Sequence, residues 1–165
     1  MHAPTAHTVG PTDGDRADFP RLGNRFVLGG EDTGGRFALV EHTIGPRTLA
    51  APMHVHERED EYSYVLVGRI GVQIGDDVLE AGAGELVLKP RGIPHAFWNP
   101  GEEEARVLEI VSPAGFEQYF ADLAPALAVA GEPDFAALAA IQARYGLAMD
   151  RESIGPLIAE HGLDA

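Results

Sequence analysis

Apolar and polar residues alternate through the middle of the chain and recur every three or four positions near its end. A period of two marks a half-buried strand, because side chains alternate faces along it. Between Arg69 and Ile74, Ile70, Val72 and Ile74 share one face. Arg36 to Ile44, Glu61 to Val67, Leu86 to Lys89, His95 to Trp98 and Ala105 to Val111 also have strand composition. Asn24 to Leu28 and Val78 to Glu80 read as shorter strands. Turn formers divide them: Gly29 to Gly35, the connection Gly45 to Pro52, Gly75-Asp76-Asp77, Ala81 to Gly84 and Pro90 to Pro94. The run Glu57-Arg58-Glu59-Asp60 is too charged for a core and reads as a solvated turn.

After Ser112-Pro113 the period changes. Phe116, Tyr119, Phe120 and Leu123 predict a helix within Ala114 to Leu127. Phe135, Leu138, Ile141 and Tyr145 predict a second, starting at Pro133-Asp134 with Asp134 or its neighbour as the cap. A third is expected over Asp150 to His161, interrupted near Gly155-Pro156. The aromatic positions read as helix core, in a cover able to limit access to the strands beneath. Residues 1–20, rich in Pro, Gly, Thr, Asp and Ala, read as a flexible arm.

Composition narrows the partners. The chain has 165 residues, enough for one domain with a real core, and no internal repeat. Its 12 Lys+Arg against 26 Asp+Glu give a formal net charge of -14. Such a surface repels phosphate backbones and anionic lipid, so no nucleic acid and no membrane partner is expected. There are no cysteines, which leaves only nitrogen and oxygen donors for a metal. No apolar run is long enough to span a bilayer, and a soluble cytoplasmic protein is expected.

The candidate chemistry lies between Met53 and Asn99. His54 and His56 project together if that piece is extended. Glu61 opens the next strand, and two imidazoles and a carboxylate on one interior would suit a transition metal. His95 follows the Pro90–Pro94 turn and shares a face with Phe97. His42 lies with Val40 and Ile44 on a mostly apolar strand face. Tyr62 and Tyr64 face away from Glu61, whereas Phe97 and Val65 are expected to face the pocket.

These residues spell H-x-H-x4-E-x6-G, fifteen further residues, then G-x5-P-x-G-x2-H-x3-N. The pattern resembles the two signature motifs of the cupin family. Gly84, Pro90, Gly92, His95 and Asn99 match the second throughout; the first departs at Thr48, where the family commonly has Gly. The resemblance implies a mainly β fold, the cupin double-stranded β-helix (a jelly-roll barrel), over residues 21–112. The arm, residues 1–20, precedes it, and a helical extension, residues 113–165, follows. It implies one divalent transition metal (Fe, Mn, Ni, Co, Cu or Zn) held by His54, His56, Glu61 and His95, with a homodimer as the assembly.

Function follows less directly. Small single-barrel cupins with a helical extension look like quercetinase-type dioxygenases. That implies a small aromatic or enediol (flavonol-like) substrate with dioxygen, and Glu61 as both ligand and catalytic base. Two other classes stay open. One is an oxygen-independent cupin enzyme (isomerase, decarboxylase or hydrolase); the other is a non-catalytic small-molecule binding module.

Overall fold

The structure, a computed structural model, describes residues 6–127 and 134–165. Residues 1–5 of the expected arm, with His2, and Pro133 at the expected helix start lie outside them. The strands are β1 (Leu22–Leu28), β2 (Ala38–Ile44), β3 (Thr48–His56), β4 (Asp60–Val67), β5 (Arg69–Ile74), β6 (Asp77–Gly82), β7 (Leu86–Lys89), β8 (His95–Asn99), β9 (Ala105–Ser112) and β10 (Leu147–Met149). They form two five-stranded antiparallel sheets, ordered β1-β2-β9-β4-β7 and β10-β3-β8-β5-β6. The fold is thus mainly β and jelly-roll-like, with its longer helices after β9.

The inner faces divide along their length. Ile44, Val65, Ile70, Val72, Phe97 and Val107 form a dry core toward one end. The same strands turn polar toward the other. On β9 the inward series runs Ala105, Val107, Glu109, Val111, all buried. On β4 it runs Glu61, Ser63, Val65, again all buried. The core therefore clamps the strands whose far ends carry the polar cluster.

Three features differ from the sequence reading. The connection expected over Gly45 to Pro52 is mostly strand, because β3 begins at Thr48. Its pairing with β8 shifts register between Ala51 and His54, around Pro52. Proline has no N–H for a ladder, and an irregularity there lets the strand continue. Gly155-Pro156 does not interrupt a helix: α4 (Ile154–His161) begins just before it, after a short 3₁₀ turn at Arg151–Ser153. Pro156 then sits in the first turn, where N–H groups lack partners anyway. The short strand β10, absent from the sequence reading, extends the second sheet by pairing with His54–His56.

The remaining helices are α1 (Gly30–Thr33), α2 (Glu117–Leu127) and α3 (Phe135–Arg144). Asp134 caps α3, accepting from the N–H groups of Ala136 and Ala137. Phe116, Tyr119 and Leu147 pack with Val111 over the polar end of the barrel. Leu157 and Leu163 pack outside the second sheet against Ala96 and Trp98. Within the stretch read as an arm, Ala17 is buried and its N–H donates to the Asn24 carbonyl at 2.9 Å.

Gly71 lies opposite Trp98 in the β5–β8 ladder, and a Cβ there would fall 2.3 Å from the indole ring. Gly71→Ala should therefore displace Trp98 and lower stability by about 1–3 kcal/mol. Urea unfolding checks this, and an unchanged midpoint would refute the close-packing argument.

Candidate metal centre

Strand register brings the cluster together. His54 pairs with His95 across β3 and β8. The Pro90–Pro94 turn is pinned to the first histidine strand, because the Gly92 N–H donates to the His56 carbonyl at 2.8 Å. Gly92 has φ +75°, a left-handed conformation that a side chain would strain. Asn99, at the end of the motif, is structural: its side-chain amide donates to the carbonyls of Ile44, Gly45 and Glu103 at 3.1, 2.9 and 2.7 Å. It ties the end of β8 to the end of β2.

His54, His56, Glu61 and His95 are all buried, and each offers a ligand atom within 4.8 Å of the others. The imidazole tautomers suit a metal. His54 Nδ1 lies 2.7 Å from the Pro52 carbonyl and His95 Nδ1 lies 3.1 Å from that of Ile93. A carbonyl only accepts, so both Nδ1 atoms carry the proton; His54 Nε2 then keeps a lone pair, while His95 Nε2 lies against Glu61. Among the described residues, His56 Nε2 is buried without a hydrogen-bond partner, although Glu61 Oε1 stands 3.4 Å away. Unpaired buried nitrogens are costly unless something coordinates them. Three imidazoles and a carboxylate form a cluster able to hold a metal ion.

Glu61 is the most constrained member. Its Oε2 lies 3.0 Å from Lys89 Nζ and 3.1 Å from His95 Nε2. Lys89 also reaches Glu109 Oε2 at 3.1 Å, and Ser63 Oγ donates to that same oxygen at 2.7 Å. This follows from register: Glu61 stands opposite Lys89, and Ser63 opposite Glu109. Burial pushes Glu61 toward the neutral form, but Lys89, His56 and His95 outweigh it and hold the carboxyl well below its usual range. Burial likewise opposes the charge on Lys89, and the two glutamates override it and raise the ammonium. Burial raises Glu109 to about 7, despite Lys89. Burial lowers His54, helped by the neighbouring His95 and His56, and burial lowers His95. Both favour the neutral, ligating form.

A cavity of about 50 Å³ adjoins the cluster. His42, Phe97, Phe116, Tyr119 and Leu147 help to line it. A wider groove of about 370 Å³ shares Leu22, Ala50, Ala51, Tyr119, Phe120 and Met149 with it. Phe97 faces the cavity as expected, whereas Val65 sits in the dry core instead.

Several neighbours were not legible from the sequence. Glu59, read as part of a solvated turn, is buried, with Oε2 3.7 Å from His56 Nδ1. Lys89 and Glu109 are buried charges whose roles depend on cross-strand partners. Phe116, Tyr119 and Met149 come from the extension, which carries no residue of the cluster. An inward parity along β9, which puts Glu109 on the face of Val107 and Val111, was the one signal available for it.

Two antiparallel sheets enclosing a histidine–carboxylate cluster define a jelly-roll protein with a candidate metal centre. The chain belongs to the cupin family: residues 40–111 match the family described as Cupin domain. It is similar to the polyketide cyclase RemF of Streptomyces resistomycificus, with 30% identity and a TM-score of 0.57 over 66% of this chain and 80% of that one. It also resembles KdgF from Halomonas sp., with 20% identity and a TM-score of 0.60, over 67% of this chain and 96% of that one. In sequence, 60 residues are 33% identical to "Polyketide synthase CurC" of Streptomyces cyaneus, spanning 36% of this chain and 39% of that protein. No helix among the described residues is long and apolar enough to cross a membrane.

Lys89→Met should leave Glu61 and Glu109 facing each other without a cation. The expected loss is about 3–5 kcal/mol in urea unfolding, as for other broken buried pairs. Adding Glu109→Gln to that variant should recover part of it. A loss under about 1 kcal/mol for the single variant would show that the lysine does not hold the cluster together.

Proposed function

We propose that this cupin is a metal-dependent enzyme that closes rings on hydroxylated aromatic or poly-β-keto substrates without consuming oxygen. The observation that carries the reading is the buried His54–His56–Glu61–His95 cluster opening onto a cavity walled by aromatic side chains. The similarity to a polyketide cyclase at 30% identity supports the same substrate class. The groove volume of about 370 Å³ suits a small organic molecule.

In this reading the four residues are the metal ligands. Iron, manganese, nickel, cobalt, copper and zinc all suit three nitrogens and one oxygen. The bound ion supplies Lewis acidity toward a substrate oxygen. The chain does the rest. Phe97, Phe116 and Tyr119 exclude water and orient a planar ring. Glu61, oriented by Lys89, accepts a proton from the substrate only when it is not serving as a ligand. Ring closure by carbonyl addition then loses water, with no net oxidation. The barrel over 21–112 supplies the ligands, and the extension over 113–165 shapes the cavity; residence in the cytoplasm completes the proposal.

The second reading is a flavonol-type dioxygenase with Glu61 as base, favoured by the same donor set beside the same aromatic walls. The two are separated by incubating the chain, loaded in turn with each metal, with polyphenols and poly-β-keto esters, with and without oxygen. Expected is product lighter by water, formed anaerobically and lost in Glu61→Gln. Turnover only with oxygen uptake would transfer the assignment to the dioxygenase. His54→Ala and His95→Ala should each abolish stoichiometric metal binding; full metal in both variants would sink the ligand assignment.

We also propose a homodimer. Tyr64, Leu86 and Leu88 are exposed on adjoining strands at the edge of the first sheet. Leu86→Glu with Leu88→Glu should shift the mass measured by light scattering from dimer to monomer. A wild-type monomer at high concentration would end this proposal.

A further inference from the structure

His42 lies outside the ligand cluster, yet it is a wall of the inner cavity. It is 2% exposed, with the Phe97 ring 6.0 Å and the Phe120 ring 5.4 Å from its own. Its Nδ1 stands 2.8 Å from Asn24 Oδ1. That contact has one consistent proton arrangement. The Asn24 side chain donates through Nδ2 to the Ala17 carbonyl at 2.6 Å, and an amide turned the other way would set two acceptors against each other. Oδ1 therefore faces the histidine as an acceptor, and His42 Nδ1 must carry the proton.

The neutral ring then has a bare Nε2. No protein hydrogen bond reaches that atom among the described residues. Burial, and after it Lys89 of β7, lower the pKa of His42 to about 4, against Glu61 of β4 and Glu41 of its own strand. The ring is neutral around pH 7. It can accept a hydrogen bond at Nε2 and cannot donate one.

We propose that His42 Nε2 is a specificity determinant that accepts a hydrogen bond from a hydroxyl of the substrate. This rests on the aromatic-substrate reading and narrows it to molecules with a free phenolic or enolic O–H deep in the cavity. A methyl ether at the same position has no donor and leaves Nε2 unpaired. Sites built to bond a hydroxyl reject analogues without one, because their buried polar groups are then stranded. Asn24 acts as a positioning residue, setting which imidazole nitrogen is bare. The segment before β1 takes part through the Ala17 carbonyl.

The test uses the full chain loaded with zinc, which is redox-inert, and the probes alpha-naphthol and its methyl ether. Calorimetry should show the naphthol binding about tenfold more tightly than the ether, the worth of one buried hydrogen bond. His42→Phe should bind both alike. Nitrogen NMR of the isotope-labelled wild type, which needs no variant to fold, should show Nδ1 protonated and Nε2 bare, with Nε2 shifting on adding naphthol and not the ether. Equal wild-type affinities, or a proton on Nε2, overturn this inference while leaving the aromatic-substrate reading intact. Binding of neither probe overturns that reading, and this inference with it.

Discussion

One buried ammonium governs the polar half of this barrel. Charges removed from water cost several kcal/mol each unless matched by good geometry. Glu61 and Glu109 both lie inside the protein, and Lys89 reaches each of them at 3.0 and 3.1 Å. The lysine keeps Glu61 ionised among three imidazoles without leaving an uncompensated carboxylate in the wall. It also fixes which Glu61 oxygen points where: Oε2 toward Lys89 and His95, Oε1 toward His56. The order of the cluster is therefore set from behind, by a residue that is not itself in it.

That arrangement depends on strand register, which explains what the sequence revealed. His54, His56, Glu61 and His95 were legible because their spacing is local and motif-like. The strands were legible because alternation survives wherever one face is buried. Glu59 was misread because a run of four charged residues reads as solvated, whereas its side chain turns back toward His56, three positions earlier. Lys89 and Glu109 lie 20 positions apart and meet only through their shared neighbour β4. No local pattern encodes that meeting. β10 was missed for the same reason: three residues pair with His54–His56 from about ninety positions away, after two helices.

His42 shows how one residue fits two readings. On β2 it alternates with Val40 and Ile44, and its face is indeed interior. What distinguishes it from a satisfied core histidine is Asn24, which meets one nitrogen of a ring that lines a cavity. The signal lies in the Asn24–His42 register pair between β1 and β2, again across strands.

The division of labour between barrel and extension bears on how far similarity can carry function. The span that matches the cupin family, 40–111, contains all four cluster residues together with Lys89 and Glu109. It contains none of Phe116, Tyr119, Phe120 or Met149, which close the cavity from outside it. The matched strands thus supply the candidate ligands and part of the cavity wall, His42 and Phe97 included, while the residues after Ser112 supply the rest. In this chain several of those walls are aromatic, and His42 adds an imidazole that is not in the cluster. In the proposed reading the ring meets walls from both parts, Phe97 of β8 and Phe116 and Tyr119 after it, whereas the hydroxyl meets His42, which β1 and β2 position.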